Sequence, residues 1–167
     1  MPLFQITQFE QQCTEEICHL ILNIQQNEFK VPITLEDQPD LLIISEVYQQ
    51  NNGNFWVAVA DGAVVGTIGL IDCGEGIGCI RKMFVHAEWR GKGRGVAQQL
   101  FDTLEEWAVG NGMHELYLGT IERLQAAIHF YERNGFEPVA KEALPDLFPR
   151  MAVDTHFFRK GLITHPG

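Results

Sequence analysis

One α/β domain built on a mixed β-sheet is what this chain of 167 residues predicts. Three observations carry the prediction. A composition of 46% apolar and 20% charged residues suits a single compact core. Segments of period-two and period-3.6 hydrophobicity follow one another along the chain. No repeat, low-complexity tract or linker-like stretch divides it, so residues 1–167 read as one domain.

Residues 2–7 read as a strand. Phe9, Cys13, Ile17, Leu20, Ile21 and Ile24 then recur at helical spacing and predict an amphipathic helix over 9–26. Asp37 and Pro39 form a helix-start signal before Leu41, Leu42, Ser45 and Tyr48. Phe55 to Ala60 and Ala63 to Leu70 flank Asp61-Gly62, a dipeptide that supplies the positive φ angles of a two-residue hairpin turn. Residues 74–78 read as a loop and 80–85 as a strand. Val96, Ala97, Leu100, Phe101, Leu104, Trp107 and Ala108 mark one face of a helix ended by Gly110-Asn111-Gly112. A short strand at 116–118 precedes a helix whose face carries Leu124, Ala127, Ile128 and Tyr131 and whose C-cap is Gly135. Strands at 136–140 and 151–158 complete the order β-α-α-β-β-β-α-β-α-β-β, a mixed sheet with helices on it.

A net charge of −10 argues against nucleic acid, whose phosphates need a basic surface. Residues 1–80 hold one base and eleven acids, whereas 81–167 hold eleven of each, and Arg81, Lys82, Arg90, Lys92 and Arg94 fall close together. The longest apolar run, Phe55 to Ala60, is far short of the ~20 residues that cross a bilayer. The first residues have no basic n-region or apolar h-region, so a cytoplasmic setting is expected. Cys13, Cys18, Cys73 and Cys79 form no C-x-x-C pair, and reduced, mostly buried thiols are the expectation. No metal site is expected: His86-Ala87-Glu88 matches half of a zinc deaminase signature without its cysteine half.

Arg90-Gly91-Lys92-Gly93-Arg94-Gly95 lies between a strand and a helix N-terminus, where unpaired backbone N–H groups and the positive helix end attract anions. Glycines permit close backbone approach, and three interleaved bases suit a ligand with several phosphates. Walker A spacing is absent because no Ser or Thr follows Lys92, and G-K-G-R-G ends one residue short of the dinucleotide fingerprint.

The loop does resemble the R/Q-x-x-G-x-G/A segment of the GNAT superfamily of acyl-CoA N-acyltransferases. Upstream, Met83-Phe84-Val85 looks like that family's central strand; downstream, Ala127 to Phe136 is similar to its A-x-x-x-Y-x-x-x-G-F segment. The resemblance covers about residues 55–140 and implies a mixed, mostly antiparallel sheet of six to seven strands flanked by about four helices. It implies that Arg90, Gly91, Lys92, Gly93, Arg94 and Gly95 hold the pyrophosphate of acetyl-CoA, while Met83, Phe84 and Val85 pair with its pantetheine arm. An amine then attacks the acetyl carbonyl directly. A main-chain N–H near Val85 stabilises the oxyanion, and Tyr131 protonates the departing thiolate, whose basicity a phenol of pKa near ~10 matches.

The family's glutamate base aligns with Cys79, which leaves Glu75, His86 or a water chain for that task, and Leu124 stands where an asparagine is often found. The first two helices roof the acceptor site in this family, and here they carry Glu28, Glu36, Asp37, Asp40 and Glu46. A cationic acceptor is therefore expected: a small amine, amino acid, polyamine or basic peptide. The other reading kept open is an acyl-CoA-binding sensor module without turnover. A homodimer paired through the strand at Met151 to Phe158 is the assembly that the resemblance implies.

Overall fold

The computed structural model describes residues 3–91, 93–151 and 153–162. Seven strands form one sheet in the order β1-β2-β3-β4-β5-β7-β6, with β1 at Gln5–Gln8, β2 at Asn54–Ala60, β3 at Ala63–Asp72, β4 at Ile77–Val85, β5 at Glu115–Thr120, β6 at Glu137–Val139 and β7 at His156–Gly161. Every neighbouring pair is antiparallel except β4 and β5. The helices are α1 (Thr14–Leu22), α2 (Ile44–Val47), α3 (Val96–Gly110) and α4 (Gln125–Arg133). This is the mixed, mostly antiparallel sheet with four helices that the sequence predicts.

Alternation along β2 divides the core. Trp56, Ala58 and Ala60 face α3, whose Val96, Leu100, Phe101, Leu104 and Ala108 are buried against them, while Phe55 and Val57 face Ile17, Leu20 and Ile21 of α1. The β2–β3 turn is as expected, with Asp61 at φ 51° and Gly62 at 77°.

Several boundaries differ. The helix expected over 9–26 is a 3₁₀ turn, then α1, then a π-helical stretch at Asn23–Glu28, closed where the Phe29 amide donates to the Ile24 carbonyl at 3.0 Å. The helix expected after Asp37 is only a 3₁₀ turn at Pro39–Leu42 and the single turn of α2, because Asp37 caps Thr34 instead of opening a longer helix. Strand β4 begins at Ile77 rather than 80. Gly78 belongs to the strand, since a Cβ there would lie 2.7 Å from Leu70 Cδ1 and 2.8 Å from Met113 Sδ.

The last strand runs from His156 rather than Met151, with its charged end held in register by Arg159 Nε on Glu115 at 2.7 Å. It lies between β5 and β6, so the dimer expected through Met151 to Phe158 has no free strand edge there; β1 and β6 are the edges. The thiols differ as well. Cys73 and Cys79, 6.5 Å apart at Cα where the β3–β4 hairpin closes, are joined in a disulfide, while Cys13 and Cys18 are free. Among the described residues no helix is long and apolar enough to cross a membrane.

Candidate functional site

Strands β4 and β5 pair only from Ile77↔Glu115 to Ile80↔Leu118, and beyond that point they part. A bulge on β4 drives the separation. Its register against β3 slips between Thr67↔Phe84 and Gly69↔Arg81, Lys82 takes φ 56°, and Thr67 Oγ1 donates to the Lys82 carbonyl at 2.6 Å. Main-chain groups of Arg81 to Val85 therefore have no strand partner on the β5 side, an arrangement suited to an extended ligand.

A groove of about 520 Å³ runs from this opening along α3 and α4. Met83, Phe84, Val85, Arg90, Gly91 and Gly95 line it, as do Trp89, Arg123 and Arg133, which sequence reasoning missed. Gly91, Gly93 and Gly95 have φ of 97°, 87° and 75°, and a Cβ at any of them would meet nothing within 4 Å. Glycine is required there by backbone conformation, not by packing. Gly95 is the N-cap of α3 and offers no side chain to its first amides, which stay available to an anion.

The loop's basic residues divide. Arg90 binds both carboxylate oxygens of Glu28, donates to the Val85 carbonyl at 2.8 Å and lies over the Phe29 ring, so its guanidinium fastens the roof to the loop. Arg94 stacks on Trp89 with its guanidinium carbon 5.0 Å from the ring centroid, and neither it nor Gly93 lines the groove. Lys92 lies outside the described residues. Arg133, over the Phe130 ring, adds a cation to the groove that only its place on α4 could have revealed.

A second cavity of about 120 Å³ opens on the other side of the splay, between β4, the end of β5, the segment after α1 and the loop before β7. The two share Ile24, Phe29, Met83, Phe84, Leu124 and Tyr131 as a common wall. Tyr131 is buried against Phe136 and Phe158, and among the described residues nothing hydrogen-bonds its hydroxyl. Burial, followed by the nearby Asp154 carboxylate, pushes its pKa well above the ordinary phenol value, so the group keeps its proton.

Arg81, Lys82 and Asp154 bring charge to this cavity. Lys82 donates to Gln38 Oε1 at 2.7 Å and lies 3.8 Å from Asp40, yet burial lowers its pKa to about 8. Burial raises that of Asp154 to about 6 against the opposing pull of Arg81 and Lys82.

The two side chains considered as the base, Glu75 and His86, do not reach either cavity. Glu75 is exposed in the β3–β4 turn, His86 Nδ1 accepts from the Glu88 amide, and buried Cys79 is held by Cys73; none of the three lines either cavity. Nor do the acids that suggested a cationic acceptor line the second cavity. Glu28 is paired with Arg90 and Asp37 with Thr34, Asp40 accepts from Tyr48 at 2.6 Å, and Glu36 and Glu46 are exposed. Among the described residues no group of three His, Cys, Asp or Glu side chains is arranged to hold a metal ion.

The family model described as Acetyltransferase (GNAT) family matches residues 18–136. A crystal structure of a GNAT-family acetyltransferase from Staphylococcus aureus Mu50 superposes with a TM-score of 0.93 at 34% identity, covering 96% of this chain and all of that one. The PaiA N-acetyltransferase of Thermoplasma acidophilum, solved in complex with coenzyme A, shares the fold at 16% identity and a TM-score of 0.72, over 95% and 99% of the two chains. Mouse probable N-acetyltransferase family 8 member 5 is 31% identical over 107 residues, 62% of this chain and 47% of that protein. The chain spans about half the length, or less, of such curated relatives.

Proposed function

The chain belongs to the acetyltransferase (GNAT) family, and from that premise we propose that it moves an acetyl group from acetyl-CoA to a primary amine by direct attack. The observation that carries this reading is the wall shared by two cavities of unequal size, with the uncommitted Tyr131 hydroxyl in it. The larger groove suits the coenzyme. Its pyrophosphate would rest on the amides at the start of α3 and its pantetheine arm on Met83 to Val85. The acetyl group would then stand at the shared wall, where an amine in the smaller cavity attacks it.

Tyr131 would give its proton to the departing sulfur. Burial keeps the phenol protonated across the physiological range, so the proton is in place beside the departing sulfur. A covalent enzyme intermediate is not part of the reading, since no cysteine lines either cavity. Thiol release from acetyl-CoA across a panel of amines, together with calorimetry, tests the proposal. Binding with amine-dependent thiol release is expected; binding with no release for any amine would favour a sensor module, and no binding would remove the coenzyme from the account.

A further inference from the structure

The smaller cavity holds one carboxylate that the described side chains leave unpaired, beside two cations that share Asp40. Among the described residues, no hydrogen bond or ion pair engages the Asp154 carboxylate, although Arg81, Lys82 and Tyr131 are close enough to influence its charge or be influenced by it. Gly119 makes room for it: a Cβ there would lie 2.7 Å from Asp154 Oδ2. Arg81, only 13% exposed at its side chain, has five N–H groups. Its one hydrogen bond among described residues goes from Nη2 to Met151 Sδ at 2.9 Å, and its ion pair with Asp40 is long, at 3.9 Å, so most of its fork has no hydrogen-bond partner. Because the bulge at Lys82 interrupts the strand's alternation, two consecutive cations reach the same cavity. An unpaired carboxylate on one wall and a guanidinium with free N–H groups on another present complementary charges to a ligand that carries both signs.

We propose that the acceptor is a zwitterion of the α-amino acid class, its carboxylate held by Arg81 and its ammonium group facing Asp154, which removes the proton before attack. The proposal rests on the acetyl-transfer reading and adds the acceptor's class and the missing base. The free amine forms the new C–N bond as the thioester C–S bond breaks. Tyr131 protonates the departing sulfur, and the phenolate recovers a proton from the acylated nitrogen. The products are N-acetyl amino acid and CoA thiol, with the first proton passing from Asp154 to solvent. A carboxylate titrating near pH 6 is a stronger base toward an ammonium group than an ordinary aspartate would be. Planar carboxylate recognition is the task for which a guanidinium fork is suited.

The test measures thiol release from acetyl-CoA with each common α-amino acid, its carboxamide and the amine lacking its carboxylate. At least one amino acid should be used with kcat/KM about tenfold or more above its amide and amine. Arg81→Gln should erase that preference, and Asp154→Asn should lower kcat, each keeping the acetyl-CoA Kd within about twofold, which also reports that the variant is folded. Equal use of amides and amines, activity on them alone, or no turnover of any amino acid would overturn the inference while coenzyme binding left the family reading standing. Failure of the wild-type chain to bind acetyl-CoA would instead overturn the transferase reading, and this inference with it.

Discussion

Removing the Tyr131 hydroxyl with Tyr131→Phe should lower kcat by about 10²-fold or more, the usual range for a lost general acid. The ring would keep its packing on Phe136 and Phe158, so the acetyl-CoA Kd from calorimetry should hardly change. A kcat near the wild-type value would leave Tyr131 as packing alone. Asp154 makes a prediction in pH. Its folded pKa of about 6 means that kcat/KM for the acceptor falls as pH drops through about 6, with Arg81 and Lys82 holding that limb down and desolvation holding it up. The same shift has a stability consequence. Ionised Asp154 is disfavoured in the folded protein, so the penalty is absent below the unfolded pKa of ~3.9, grows as pH rises and is complete above about 6. Asp154→Asn should therefore raise Tm at pH 7 while lowering turnover; calorimetric scans at pH 4 and pH 7 would show the gain only at the higher pH.

Gly95 caps α3 in the left-handed region with open space around it, so Gly95→Ala carries a conformational penalty of ~1–2 kcal/mol without a clash. Urea unfolding should register that loss, and calorimetry should register weaker acetyl-CoA binding because the first amides of the helix shift. Strong local signals made most elements legible: the Asp61-Gly62 turn, the apolar stripe of α3 and the cap at Gly135 stand as the sequence predicts them. What eluded sequence reasoning has physical causes. A glycine inside β4 signals a loop unless one knows that Leu70 and Met113 fill the space above it. The charged end of β7 looks too polar for a strand until Arg159 is seen to donate to Glu115, its diagonal neighbour on β5. The π-helical end of α1 leaves no mark in a 3.6-residue pattern.

Across the whole molecule, a net charge of −10 coexists with a groove edged by Arg90, Arg123 and Arg133. Attraction of a polyphosphate to that groove is screened by salt, so the acetyl-CoA Kd should rise several-fold between about 0.05 and 0.5 M NaCl. An unchanged Kd would detach the basic groove from binding. The groove was legible because Gly91, Gly93 and Gly95 lie together in the chain and share one conformational need. The smaller cavity was not, since Arg81, Lys82, Gly119, Tyr131 and Asp154 are gathered only by the strand splay and the loop before β7. Counting acids by chain half pointed to a cationic acceptor because charges committed to Arg90, Thr34 and Tyr48 cannot be told in sequence from free ones. The account turns most directly on where acetyl-CoA lies, which an amide-resolved NMR titration reads. The amides of Gly91, Gly93, Gly95, Val96 and Met83 to Val85 should shift together and saturate at one Kd. Saturation with those amides unmoved, or movement confined to another face of the sheet, would contradict the account.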